Sequence, residues 1–106
     1  MRDAETIHRD LERGELVCLL YRLGRQGASG ILTVTSRSSR GEIFVLRRGH
    51  AMVGEGELAK KALVGRLARL VGQDGLRVVF EGGVTAYPPG ATHQLALAGW
   101  ARAHLE

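Results

Sequence analysis

The chain of 106 residues is predicted to fold as an α+β domain. A small antiparallel sheet, built from a three-strand meander plus a fourth strand, is covered by helices in the order α-α-β-β-β-α-β-α. Three observations predict it. Between residues 30 and 53, short β-branched runs are punctuated by Gly30, Gly41 and Gly49, the pattern of strands joined by turns. Leu63, Leu67, Leu70 and Val71 follow the i, i+4, i+7, i+8 spacing of a helix with one buried stripe. The run LRVVFEGG from Leu76 alternates, with Leu76, Val78 and Phe80 on one side and Arg77 and Val79 on the other, as a strand does.

Residues 3–13 read as a first helix, with Ile7 and Leu11 one turn apart among charges. Gly14 ends it. A helix running on through Gly14 would set Ile7 and Leu11 opposite the stripe of Leu16, Leu19, Leu20 and Leu23, so the chain breaks or bends there. A second helix spans residues 15–25, and RQGASG stops it. Next comes a strand with Ile31, Thr33 and Thr35 alternating with Leu32 and Val34, then the turn SRSSRG. The strand at 42–47 holds Ile43, Phe44, Val45 and Leu46, apolar on both faces as in a central strand covered on each side. Gly49 permits the positive φ of a tight reversal, and residues 50–53 return as a third strand. After the helix at 58–71 and the strand from Leu76, Pro88 and Pro89 mark a loop. A last helix at 91–105 places Leu97, Ala98, Ala101 and Leu105 on one face. The expected core is Leu16, Leu19, Leu20, Leu32, Ile43, Val45, Leu63, Leu67, Leu70, Val78 and Phe80.

Length and composition set the class. One core fits in 106 residues, so residues 1–106 are expected to be a single domain. With 44% hydrophobic and 25% charged residues the chain is globular in character. No apolar run approaches the roughly 20 residues that cross a bilayer, and the N-terminus lacks an apolar signal segment, which predicts a cytoplasmic protein without membrane insertion. Cys18, the sole cysteine, lies in LVCLLY and is expected to be a small core residue.

No pattern for catalysis stands up to its chemistry. GEGELAKK, from Gly54 to Lys61, suggests a phosphate loop, yet it lacks the Gly-Lys-Ser/Thr ending and sets Glu55 and Glu57 where phosphate must approach. The histidines at 8, 50, 93 and 104 show no ligand spacing. On one helix His93 and His104 would lie roughly 16 Å apart, too far for one metal. Ser36, Ser38 and Ser39 belong to a turn and no nucleophile motif surrounds them. No catalytic site, metal or cofactor is expected.

The charges are more informative. Net charge is +4, with 13 arginines and 2 lysines, and the acids are dispersed, which favours a basic patch over a polybasic chain. Arg37, Arg40, Arg47 and Arg48 cluster in the meander, while Lys60, Lys61, Arg66 and Arg69 decorate the following helix. The small residues Gly65, Ala68 and Gly72 share a helix face with Lys61, a strip where another helix could approach. A guanidinium fork grips carboxylates bidentately, so an acidic protein is the expected partner of Arg37, Arg40, Arg47, Arg48, Lys61, Gly65 and Ala68, with self-association through the small strip as a further expectation. The alternative is a small nucleic-acid-binding module using the same arginines. It is disfavoured because Phe44 and Phe80 sit in core-like patterns rather than as stacking platforms.

SGILTV, then RGEIFVLRRGHAMVGEGE, then a leucine-patterned helix and DGLRVVFEGG together resemble the bacterial PATAN domain, named for the N-terminal part of the cyanobacterial regulator PatA. Gly30, Leu32, Gly41, Ile43, Phe44, Gly49, Gly75 and Phe80 fall on the positions of that pattern, which covers residues 15–82 well and the final helix more loosely. Two positions depart from it: Arg48 stands where an acidic residue often precedes the turn glycine, and RLARLV replaces a late aromatic in the middle helix. The resemblance implies a non-enzymatic α+β signalling module acting through protein contacts. It points to an adaptor or regulator in a bacterial signalling, cell-polarity or gliding-motility pathway. The implied partner is a receiver domain or a regulator of a Ras-like GTPase.

Overall fold

The computed structural model describes residues 6–36, 41–53, 57–83 and 93–105. Along the chain they form β1 (Thr6–Leu11), α1 (Glu15–Arg25), β2 (Gly30–Thr35), β3 (Glu42–Arg47) and β4 (His50–Val53). Then come α2 (Glu57–Val71), β5 (Leu76–Gly82), β6 (His93–Ala96) and α3 (Leu97–Leu105). The strands make one six-stranded sheet in the order β1-β5-β2-β3-β4-β6, and every neighbouring pair is antiparallel. The fold is α+β, but the expected four-strand sheet and its element order are wrong. Two of the six strands, β1 and β6, lie within the segments expected as the first and last helices.

Both errors come from pairing that local pattern does not encode. A spacing of four residues, as between Ile7 and Leu11, fits the helical period and equally an even step along a strand. The register decides: Ile7 lies opposite Phe80 and Leu11 opposite Leu76. Leu11 is buried, and Ile7 packs on the core. At the other edge, residues 93–96 pair with β4, setting Leu95 opposite Ala51, and only then does the chain turn helical. His93 therefore opens a strand and does not share a helix with His104.

The helices lie on one face. Leu32, Val34, Phe44, Leu46, Val53, Val78 and Phe80 from the sheet join Leu16, Leu19, Leu20 and Leu23 of α1, Leu63, Leu67 and Leu70 of α2, and Leu97 and Ala101 of α3 in one buried cluster. Ile43 and Val45 do not belong to it. On β3 the buried positions are Phe44 and Leu46, while Ile43 is 59% exposed and Val45 half-buried. The expectation of helices on both faces of this strand is thus corrected, since an antiparallel sheet can leave one face open. On that second face Ile43 and Val45 stand beside Thr33 and Ile31, each half-buried. Cys18 is also corrected: it is exposed, because the α1 stripe runs through its neighbours Val17 and Leu19 and leaves position 18 outward.

Tight backbone contacts tie the elements together at one end. Arg48 and Gly49 both have positive φ, 50° and 82°, the conformation of a two-residue hairpin turn. The Gly49 N–H donates to the Ala28 carbonyl at 2.9 Å, and the Leu97 N–H donates to the Gly49 carbonyl at 3.2 Å. The hairpin turn thereby fastens the end of α1 to the start of α3. None of the described helices is long and apolar enough to cross a membrane.

Candidate partner-binding surfaces

The described basic residues occupy two places. Arg48 sits in the β3–β4 turn, exposed, its backbone N–H held by the Ser29 hydroxyl at 2.9 Å. Arg47 precedes it as the exposed last residue of β3. Arg37 and Arg40 lie outside the described residues. Gly54 and Gly56 of the suggested phosphate loop, and Ser38 and Ser39, also fall outside the described residues.

Glu42 organises the other end. Its carboxylate faces two arginines of α2, Arg69 Nη2 at 3.3 Å and Arg66 Nε at 3.8 Å. The Arg66 guanidinium also lies over the Phe44 ring, 5.2 Å from its centroid. Both arginines are therefore paired across to β3. Five residues along the strand, roughly 17 Å, separate Glu42 from Arg47. The basic set divides into a turn end and a helix face.

The helix face is α2's solvent side. Leu63, Leu67 and Leu70 point to the core, each at most 2% exposed. Opposite them Lys61, Gly65, Ala68 and Gly72 are all exposed, as the sequence spacing implied. A Cβ at Gly65 would meet nothing within 4 Å, so the strip is open. Lys60 and Lys61 form no ion pair with the described carboxylates. Together with Val64 and Gly65 they border a shallow, mostly apolar depression of about 550 Å³.

Leu58 was missed by the sequence reading and belongs to the same face. It is 82% exposed, five residues before Leu63 and so roughly 140° round the helix from the buried stripe. That angle was available in the sequence. Leu58 starts the expected helix, and its wheel position sets it above Gly65.

The remaining polar groups are paired or dispersed. At the start of β5, Asp10, Thr35, Ser36, Gly75 and Arg77 line a cleft, but Arg77 is held by Asp10 at 3.1 Å. Asp74 accepts the N–H groups of Arg13 and Gly75. The His50 Nδ1 lies 3.1 Å from the Arg48 carbonyl, and His104 stacks on Trp100 with ring centroids 4.1 Å apart. Among the described residues no group of three or more His, Cys, Asp or Glu side chains gathers to hold a metal ion. Phe44 and Phe80 are both buried.

No protein-family model, no curated protein and no solved structure matches the chain.

Proposed function

We propose that the chain is a non-enzymatic adaptor that binds an acidic protein partner, with the solvent face of α2 as its main contact. The observation that carries this is the company Lys60 and Lys61 keep: two exposed lysines without a described ion pair beside exposed Leu58, half-buried Val64 and the open Gly65. Cations next to apolar surface suit a partner with carboxylates around an apolar centre. The lysines steer its approach and the apolar atoms supply contact area. Arg47 and Arg48, at the far end of β3, add a second basic contact for a partner large enough to span the sheet.

The likeness of the glycine pattern to PATAN domains supports a cytoplasmic role in bacterial signalling, with a receiver domain or a GTPase regulator as partner. Gly30 and Gly49 have a physical reason to be glycine. A Cβ at Gly30 would strike the Glu81 carbonyl, and one at Gly49 would strike that of Gly24.

The test is affinity capture from cells that express the chain, followed by mass spectrometry and by titration against duplex DNA. The proposal expects a specific acidic protein, held in a salt-sensitive way, and no comparable DNA binding. DNA binding that weakens linearly in log salt and needs Lys60 and Lys61 would replace the protein reading with a phosphate-binding one.

A further inference from the structure

We infer that the solvent face of α2 receives an amphipathic helix whose apolar stripe is bordered by Asp and Glu, an inference that rests on the protein-binding reading above. Leu58, Lys61, Gly65, Ala68 and Gly72 recur at steps of three, four, three and four, the spacing of a helix–helix seam. All five are exposed. The seam runs roughly 21 Å, along α2 and one residue past its end, enough for a partner helix of about four turns.

The shape of the seam says how the partner lies. Nothing stands within 4 Å of where a Gly65 Cβ would be, and Ala68 and Gly72 continue the low ground. A second helix can therefore approach near the short end of the usual interaxial range, about 8 Å. Leu58 at one end offers a large apolar side chain, 82% exposed, to the partner's stripe.

The charge says what borders that stripe. From Leu58 to Gly72 there is no Asp or Glu, and four residues are Lys or Arg. Arg66 and Arg69 answer to Glu42, while Lys60 and Lys61 have no described carboxylate. A second copy of this chain is a poor occupant. In a parallel pair Lys61 would face Lys61, and in an antiparallel pair centred on Gly65 it would face Arg69, like charges across a close contact. Nucleic acid would use the lysines and leave Leu58 and the Gly65 strip without contacts. An acidic amphipathic helix satisfies both.

The experiment selects helices against the full chain from a display library, in which an 18-residue helical scaffold (about five turns) carries randomised surface positions. The inference expects enriched sequences with apolar residues at i, i+3/i+4 and i+7 flanked by Asp or Glu. Their affinity should fall at least about tenfold in Gly65→Leu, which fills the seam, and in Lys60→Glu/Lys61→Glu. Gly65→Ala should fall less, and circular dichroism should show all variants folded. Enriched sequences that are neutral or basic, or helices that bind Gly65→Leu as tightly as wild type, would overturn the helix inference. Should acidic sequences bind through the lysines yet ignore Gly65→Leu, the acidic-partner reading stands and the helix inference falls. Failure to enrich any binder dependent on this face sinks both. Enriched helices that also displace a captured second copy would assign the seam to self-association instead.

Discussion

Alanine at Gly24 and alanine at Gly65 are the same substitution within the same kind of secondary structure, yet the structure predicts opposite signs. Replacing a helical glycine by alanine gains about 0.8–1.0 kcal/mol from lost backbone freedom in the unfolded and frayed states. Gly65 is in the middle of α2 and a Cβ there meets nothing, so that gain stands alone. Gly24 lies in the last turn of α1, where the gain is smaller. Its Cβ would run into the α3 backbone, with Ala98 N closest and the Ala98 Cα and Cβ each 2.9 Å away. None of these is the flexible end of a side chain, so α3 must move off α1. Movement is resisted, because Leu97 is hydrogen-bonded to Gly49 and Gly49 to Ala28. Overpacking of this kind costs about 1–3 kcal/mol, and with the rigid backbone and Cβ of Ala98 in the way the net loss is about 2 kcal/mol. For a domain of this length 1 kcal/mol corresponds to roughly 4–5 °C in Tm. The two variants should melt on either side of wild type, roughly 12–15 °C apart. Urea unfolding followed by far-ultraviolet circular dichroism, with the slope m unchanged, gives the free energies. Gly24→Ala as stable as wild type would refute the close α1–α3 contact. Gly65→Ala less stable by more than about 0.5 kcal/mol would refute the open face of α2.

Other substitutions probe separate parts of the account. Leu67→Ala, at a position 1% exposed, should lose about 2–5 kcal/mol in the same unfolding assay, whereas Ile43→Thr on the open sheet face should change stability by no more than about 0.5 kcal/mol. Equal losses from the two would contradict the assignment of faces on β3. Arg48→Gly should stabilise by about 1 kcal/mol, because Arg48 holds a positive φ that glycine adopts freely. The same change should weaken partner capture if this turn is a contact. Glu42→Gln should cost no more than about 1 kcal/mol, since the Arg66 and Arg69 side chains are 41% and 64% exposed and their pairing is screened by solvent. A much larger loss, unaffected by salt, would show that α2 depends on this carboxylate for its placement.

What the sequence conveyed and what it hid divide along local and long-range pairing. Positions fixed by a single helix or hairpin were readable: the Leu63, Leu67 and Leu70 stripe, the reversal at Gly49, and the alternation of Leu76, Val78 and Phe80 all sit where expected. Strands at both sheet edges were not readable, because their partners are distant. Thr6–Leu11 is defined by a strand some 70 residues later in the chain, and the helix-compatible residues Gln94, Leu95 and Ala96 are drawn into strand by β4. β3 misled for a different reason. Four consecutive apolar residues do not say which alternate pair is buried, and the inward pair proved to be Phe44 and Leu46 rather than Ile43 and Val45. Of the candidate surface, the α2 strip follows from helical geometry alone. The place of Arg47 and Arg48 at the β3–β4 turn follows from the reversal at Gly49.

The central claim is that α2's solvent face is where a partner docks. The most direct measurement is amide chemical-shift mapping on the isotopically labelled chain as the captured partner is added. Perturbations concentrated at residues 58–72, with a second, weaker set at Arg47 and Arg48, are predicted, and Lys60→Glu/Lys61→Glu should remove the first set while leaving the free spectrum folded. Perturbations confined to Ile31, Ile43 and Val45 on the open sheet face, with residues 58–72 unmoved, would contradict it.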